Sequence, residues 1–303
     1  MKRRTRRGES VRAHYDATVA VSRDQYDTKA LADPAREYPA NYFRLRLLLD
    51  SFRRKKLRRV FEVGVGEGTP LIALARSGMD VRGLDIAPKM VAASKQNLLT
   101  ANMDPERVFR GDIRDPKSYA ARLKGLPLAD GLLAMGVMPH VEDDVAVLKN
   151  MGRLVKKGGT VFVEFRNLLF SLFTQNRYTK AFVLDELLCG VAPRLKTIVS
   201  ADLERRLRTD QPPLRTRLKG SFAPGYDAIL SKFHNPFEIP ACFHRAGFTD
   251  LHFLWYHYHP AMPYLSKRAP RLFRREAIKL EREQSGWRGY FLCSAFVVEA
   301  IKR

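Results

Sequence analysis

Cysteine is scarce in this chain, and the three present, Cys189, Cys242 and Cys293, lie far apart with no CxxC spacing. That argues against a disulfide framework and a zinc site and for a reducing compartment, with no metal expected. Long apolar runs are missing too: none approaches the ~20 residues that span a bilayer. The charged start Met1-Lys-Arg-Arg-Thr-Arg-Arg has no apolar stretch behind it, so no export signal is expected. The expected location is cytoplasmic, free or peripheral to the inner face of the membrane. Acid is short as well, 32 Asp and Glu against 54 Lys and Arg, for a formal net charge of +22. Such an excess attracts polyanions: nucleic acid, an anionic membrane surface, or a phosphorylated or lipid-linked substrate. A generic basic surface is the plain alternative. Internal repeats and low-complexity tracts are absent, and 303 residues suffice for one domain with an accessory region.

What is present is organised around Val60-Phe-Glu-Val-Gly-Val-Gly-Glu-Gly-Thr-Pro70. Short apolar residues lead into three glycines at alternate positions, and Leu71-Ile-Ala-Leu-Ala-Arg76 then reads as a helix. A strand, a tight turn and a helix N-terminus let a ligand approach the backbone closely. Some twenty residues on, Val81-Arg-Gly-Leu-Asp85 is a second strand ending in a carboxylate, suited to the two hydroxyls of a ribose. A dinucleotide fingerprint would want Gly-x-Gly-x-x-Gly/Ala, but its last position falls on Thr69, and Gly68 comes one residue early. Glu62, inside the first strand, would repel a pyrophosphate and accept a cation. A nicotinamide oxidoreductase is therefore disfavoured.

With Glu62 before the turn and Asp85 after it, the chain resembles the class I S-adenosylmethionine-dependent methyltransferases, whose first motif is (Glu/Asp)-x-Gly-x-Gly-x-Gly. The resemblance implies that Glu62, Gly64, Gly66 and Gly68 hold the methionine part of S-adenosyl-L-methionine and Asp85 its ribose. It further implies Val65, Ile86, Asp112, Ile113 and Met135 around the cofactor, with Asp112 at the adenine amino group. The competing role for Asp112 or Asp115 is a cap on the next helix.

Alternating helices and strands argue for an α/β fold, and the resemblance implies a Rossmann-like, mostly parallel seven-stranded sheet with helices on both faces. Residues 1–58 read as a basic tail (1–12, frayed) and two helices, the second strongly apolar from Tyr42 to Phe52. Residues 59–167 hold the expected cofactor-binding core. Residues 168–234 read as an inserted lid, helical to 192 and then basic and punctuated by prolines. Residues 235–303 complete the sheet, with a helical excursion at 260–288.

Ligands in such sheets bind beyond the carboxyl ends of the strands. Both insertions leave the sheet at that rim and are expected to cover an acceptor. Transfer to a hydroxyl needs alignment and a proton acceptor, and His140, after strand 4, is the first candidate base. His257 and His259, read as sharing a strand face with Trp255, are the others. Tyr15 and Tyr26 are candidates to close over the cofactor, or to pack. The strand-4 exit, Met135-Gly-Val-Met-Pro139, lacks the (Asp/Asn)-Pro-Pro-(Tyr/Phe) motif of enzymes that grip a flipped base. It is similar to the small-molecule branch, and residues 166–179 are similar over that short stretch to methyltransferases of bacterial surface-glycan pathways. The expected acceptor is a small hydroxylated molecule, a sugar or a lipid-linked glycan precursor. The rival is an RNA-binding or RNA-modifying methyltransferase that uses its basic surface.

Overall fold

Runs such as Val60–Val63 and Val161–Phe165 alternate their side chains between two apolar layers. The computed structural model describes residues 2–19 and 26–303. Seven strands form one sheet: β1 (Arg59–Val63), β2 (Asp80–Asp85), β3 (Val108–Arg110), β4 (Ala129–Ala134), β5 (Val155–Arg166), β6 (Phe248–Tyr258) and β7 (Cys293–Lys302). Their order is β3-β2-β1-β4-β5-β7-β6. The first five pair in parallel, while β7 runs antiparallel to both β5 and β6. This is the Rossmann-like sheet that the sequence predicts.

Helices cover both faces. On one side α2 (Ala40–Arg54), α3 (Thr69–Arg76) and α4 (Pro88–Thr100) bury Leu47, Phe52, Leu71, Leu74 and Leu98 against Val60, Leu133 and Phe162. On the other, α5 (Asp144–Gly152) brings Leu148 and Met151 against Phe61, Leu132 and Val163. Adjacent strand residues thus serve opposite layers, as the period of two requires.

Three segments differ from expectation. The tail expected to fray is helical where described, as α1 (Lys2–Asp16). Lys and Arg are good helix formers, and the helix is anchored by buried Val11 and by His14, whose Nδ1–H donates to Pro224 O at 2.8 Å. Met1 and residues 20–25, part of the expected N-terminal helices, lie outside the described residues. Residues 168–192 form short turns of helix, Ser171–Thr174, Arg177–Ala181 and the π-helical Phe182–Leu187. Gln175 takes a positive φ of 54°, and Asn176 caps the next turn by accepting the Tyr178 N–H, so the chain restarts. The proline-punctuated stretch that follows holds a regular helix instead, α6 (Pro193–Arg206), because Pro193 sits at its first turn, where a missing N–H costs nothing.

The final sheet elements are α7 (Ile239–Arg245), which packs Phe243 onto Phe248 and Phe165, and α8 (Pro270–Leu280), carried by the excursion after β6. Among the described residues no helix is long and apolar enough to cross a membrane.

Candidate active site

The glycine loop wraps a cavity of about 270 Å³ at the carboxyl ends of β1, β2 and β4. Glu62, Gly64, Val65, Gly66, Asp85, Ile86, Asp112, Ile113 and Met135 all border it. Gly66 adopts a φ of 58° with open space where a Cβ would point, so no side chain keeps a ligand from its backbone. The Gly66 N–H donates to Asp85 Oδ2 at 2.8 Å, and the Ala87 N–H donates to Oδ1 at 2.8 Å. The strand-2 acid is thereby clamped at the end of β2 with lone pairs to spare. Gly68 is absent from the cavity wall. It starts α3 at a φ of 94°, and a Cβ there would stand 2.5 Å from Ser94 Oγ on α4.

Glu62 is buried, and its Oε2 has no hydrogen-bond partner among the described residues. Burial pushes its pKa well up, Arg44 pulls the other way, and Glu67 and Asp85 add to the rise. An orphaned carboxylate oxygen beside two further acids is a place for a cation. The site therefore fits a ligand with an ammonium at the β1 end and a ribose at the β2 end. Asp112 also borders the cavity, but its carboxylate is forked by Arg114, which donates from Nε at 2.9 Å and Nη2 at 2.6 Å. Asp115, not Asp112, caps the following turn, through the Lys117 N–H.

A second chamber, of about 480 Å³, opens beyond β5 and β6. Its walls come from α2, from both insertions and from the strand ends. Tyr15, Asn41, Arg44, Gly136 and His140 border both spaces. Arg44 and Glu164 pair beside this junction, with Arg44 Nη1 donating to Glu164 Oε2 at 2.8 Å. Burial works against the Arg44 charge, yet Glu164 and then Tyr26 hold its pKa above the ordinary value. Glu164 also accepts from the Gly136 N–H and the Tyr256 hydroxyl.

His140 stands at the junction, buried. Its Nδ1 lies 2.6 Å from Leu230 O, a carbonyl that can only accept, so Nδ1 carries the proton. Nε2 is then the acceptor, and the Tyr15 hydroxyl donates to it at 2.8 Å. Burial lowers the His140 pKa to about 4, against the help of the Leu230 bond, with Arg166 and His14 lowering it further. Burial raises that of Tyr15. Tyr26 reaches the first cavity as well, and its hydroxyl accepts from Arg44 Nη2 at 3.1 Å.

His257 and His259 border the second chamber and not the first. Their expected strand face is wrong. His257 takes a φ of 59°, which interrupts the alternation, so Tyr258 and not His257 joins Trp255 in the core. His257 instead stacks on Tyr38 with centroids 5.6 Å apart and shares a 2.8 Å bond between Nδ1 and Ser294 Oγ. Burial holds both histidines down, His259 to about 4.

Sequence reasoning missed Arg44, Tyr38, Tyr226 and Phe233. Arg44 had a signal, since it precedes Leu47, Leu48, Ser51 and Phe52 at helical spacing on the buried stripe of α2. Tyr226 and Phe233 had none, because irregular chain brings them to the chamber.

Residues 61–163 match a family model described as a methyltransferase domain. A ubiquinone biosynthesis O-methyltransferase of Paracidovorax citrulli is 35% identical over 142 residues, 45% of this chain and 53% of that protein. A protein of the same name from Xanthomonas campestris is 31% identical over 126 residues, 42% of this chain and 46% of its own. The chain thus spans about half the length of the curated relatives it matches. A solved chain from the complex between the Haloferax volcanii Trm112 methyltransferase activator and the putative methyltransferase aligns over 95% of this chain and 97% of its own, with 16% identity and a TM-score of 0.49. Since the matched segment begins inside β1 and ends inside β5, it carries the glycine loop and both strand-end acids, and over this segment the chain is similar to the methyltransferase domain of the class I, Rossmann-like, S-adenosylmethionine-dependent enzymes.

Proposed function

We propose that the protein transfers a methyl group from S-adenosylmethionine in the first cavity to a hydroxyl of a small acceptor in the second chamber. The observation that carries this reading is the shared wall, where His140 and Tyr15 border both spaces. The O-methyltransferase names of the relatives support a hydroxyl acceptor. The finer reading, a sugar or lipid-linked glycan precursor, rests on the similarity over residues 166–179 and on polar Ser171, Thr174 and Asn176 in the chamber wall.

In this reading Glu62 holds the ammonium of the cofactor, the free lone pairs of Asp85 take the ribose hydroxyls, and Gly64 and Gly66 let the ligand lie against the backbone. Asp112, Ile113, Ile86, Val65 and Met135 border the remaining part. The bound cofactor supplies an electrophilic methyl group on a sulfonium. His140, locked by Leu230 O with Nε2 as acceptor, takes the proton of the acceptor hydroxyl once that hydroxyl replaces Tyr15 as donor. With its pKa near 4 it is uncharged at neutral pH and free to accept, though a weak base, so proton uptake accompanies methyl transfer and does not precede it. Tyr15 stays protonated and keeps water from Nε2 until the acceptor arrives. His257 and His259 serve as chamber wall and as alternative bases. The two insertions, 168–234 and 260–288, act as the cover.

The rival reading, an RNA acceptor, is favoured by exposed Arg215, Arg217 and Lys219 on the first insertion. The same residues suit an anionic membrane surface. His140→Gln tests the favoured reading: turnover should fall ~10²–10⁴-fold while S-adenosylhomocysteine still binds as in the wild type. Unchanged turnover would move the base role to His257 or His259.

A further inference from the structure

Arg166 ends β5 and borders the second chamber. Its guanidinium carbon lies 4.2 Å from the ring centroid of Phe233 and 5.0 Å from that of Tyr226. Nη1 donates to Ser231 Oγ at 2.8 Å and to the Tyr226 hydroxyl at 3.3 Å. The Nε–H and the Nη2 group donate to no described residue, and no described carboxylate pairs with this cation. The nearby acids are committed or distant in kind: Glu164 is held by Arg44, Gly136 and Tyr256, and Glu37 is exposed at the rim.

A half-buried guanidinium against two aromatic rings loses hydration without gaining a counter-ion. Its unused donors have the fork geometry that matches a carboxylate or a phosphate, and its charge does not titrate away. Tyr226 also packs edge-on against His140, with centroids 5.6 Å apart. One ring therefore separates the proton acceptor from the cation. Building on the methyl-transfer reading, we infer that Arg166 is an oxyanion subsite, and that the acceptor carries a carboxylate or phosphate about one small ring away from the hydroxyl that is methylated.

Calorimetry at constant ionic strength, with S-adenosylhomocysteine saturating, tests this with three probes of one shape: benzoate, phenyl phosphate and benzamide. At least one anion should bind 10-fold or more tightly than benzamide, and the stronger of the two identifies the group. Arg166→Gln should abolish the preference without changing S-adenosylhomocysteine affinity, and Arg166→Lys should restore part of it. Equal binding of all three probes to the wild type overturns the inference, as does a preference that survives in Arg166→Gln. The wild-type comparison decides the matter even if the variants fold poorly. A protein that ignores S-adenosylhomocysteine but still prefers the anions would refute the methyl-transfer reading and leave the subsite standing.

Discussion

His140 and His259 carry the chamber's acid sensitivity. His140 is buried and His259 half-buried, and desolvation holds both down to about 4, with His257 lowered in the same direction. The unfolded chain protonates the same side chains near the ordinary value of about 6.5. Between those limits the two histidines bind more protons in the unfolded state, so their contribution to stability falls as pH drops from 6.5 toward 4, while Glu281, lifted to about 7, contributes in the opposite direction. Urea melts at pH 7 and pH 4.5, compared between wild type and His140→Gln, should show a smaller loss or a larger gain of stability on acidification in the variant; an unchanged difference would mean that His140 titrates alike in the folded and unfolded chain. Residues differ sharply in how plainly the sequence announces them. Glu62 and Asp85 are legible because each sits at a fixed offset from a glycine turn. Asp112 is legible as a place but not as a state, since Arg114, two residues on, claims its carboxylate. Tyr15 is readable as a candidate to close over the first cavity, which it borders, yet nothing in its neighbours gives its bond to His140, 125 positions away.

Among elements, the parallel core is the readable part, since strand, glycine turn and helix recur at short range. The covers are not, because their shape depends on contacts made far along the chain. Arg274 on α8 shows how. Its Nη1 donates to Ala30 O at 2.5 Å and to Glu37 O at 3.4 Å, while Nη2 donates to Arg36 O at 2.5 Å. One guanidinium thus ties three carbonyls of the segment before α2 to the second insertion. Glu281, at the end of α8, extends the tie by accepting from the Tyr38 hydroxyl and the Tyr258 N–H, and burial lifts its pKa to about 7. Read alone, α8 is a basic helix with a solvated face, and its use as a clamp is invisible. Arg274→Ala should raise hydrogen exchange in residues 26–38 and 263–283 and leave residues 59–163 as they were. Exchange rising equally in the core would show that the clamp supports the whole fold and not the cover alone.

For the whole molecule, the division is between a sheet that carries the first cavity, proposed to hold the cofactor, and the insertions that help wall the second chamber, proposed to take the acceptor. The net charge of +22 belongs largely to the outside of this arrangement, while the chamber itself balances Arg44 against Glu164 and leaves Arg166. A chamber of about 480 Å³ is of a size for the compact acceptor proposed above. The compact-acceptor and RNA accounts separate in one assay. The full chain is incubated with S-adenosylmethionine labelled in its methyl group and with fractionated cell extract, across a range of salt. Transfer to a small acceptor puts label into low-mass or lipid-extractable material, with little dependence on salt. Label entering RNA, with yield falling steeply as ionic strength rises, would contradict it.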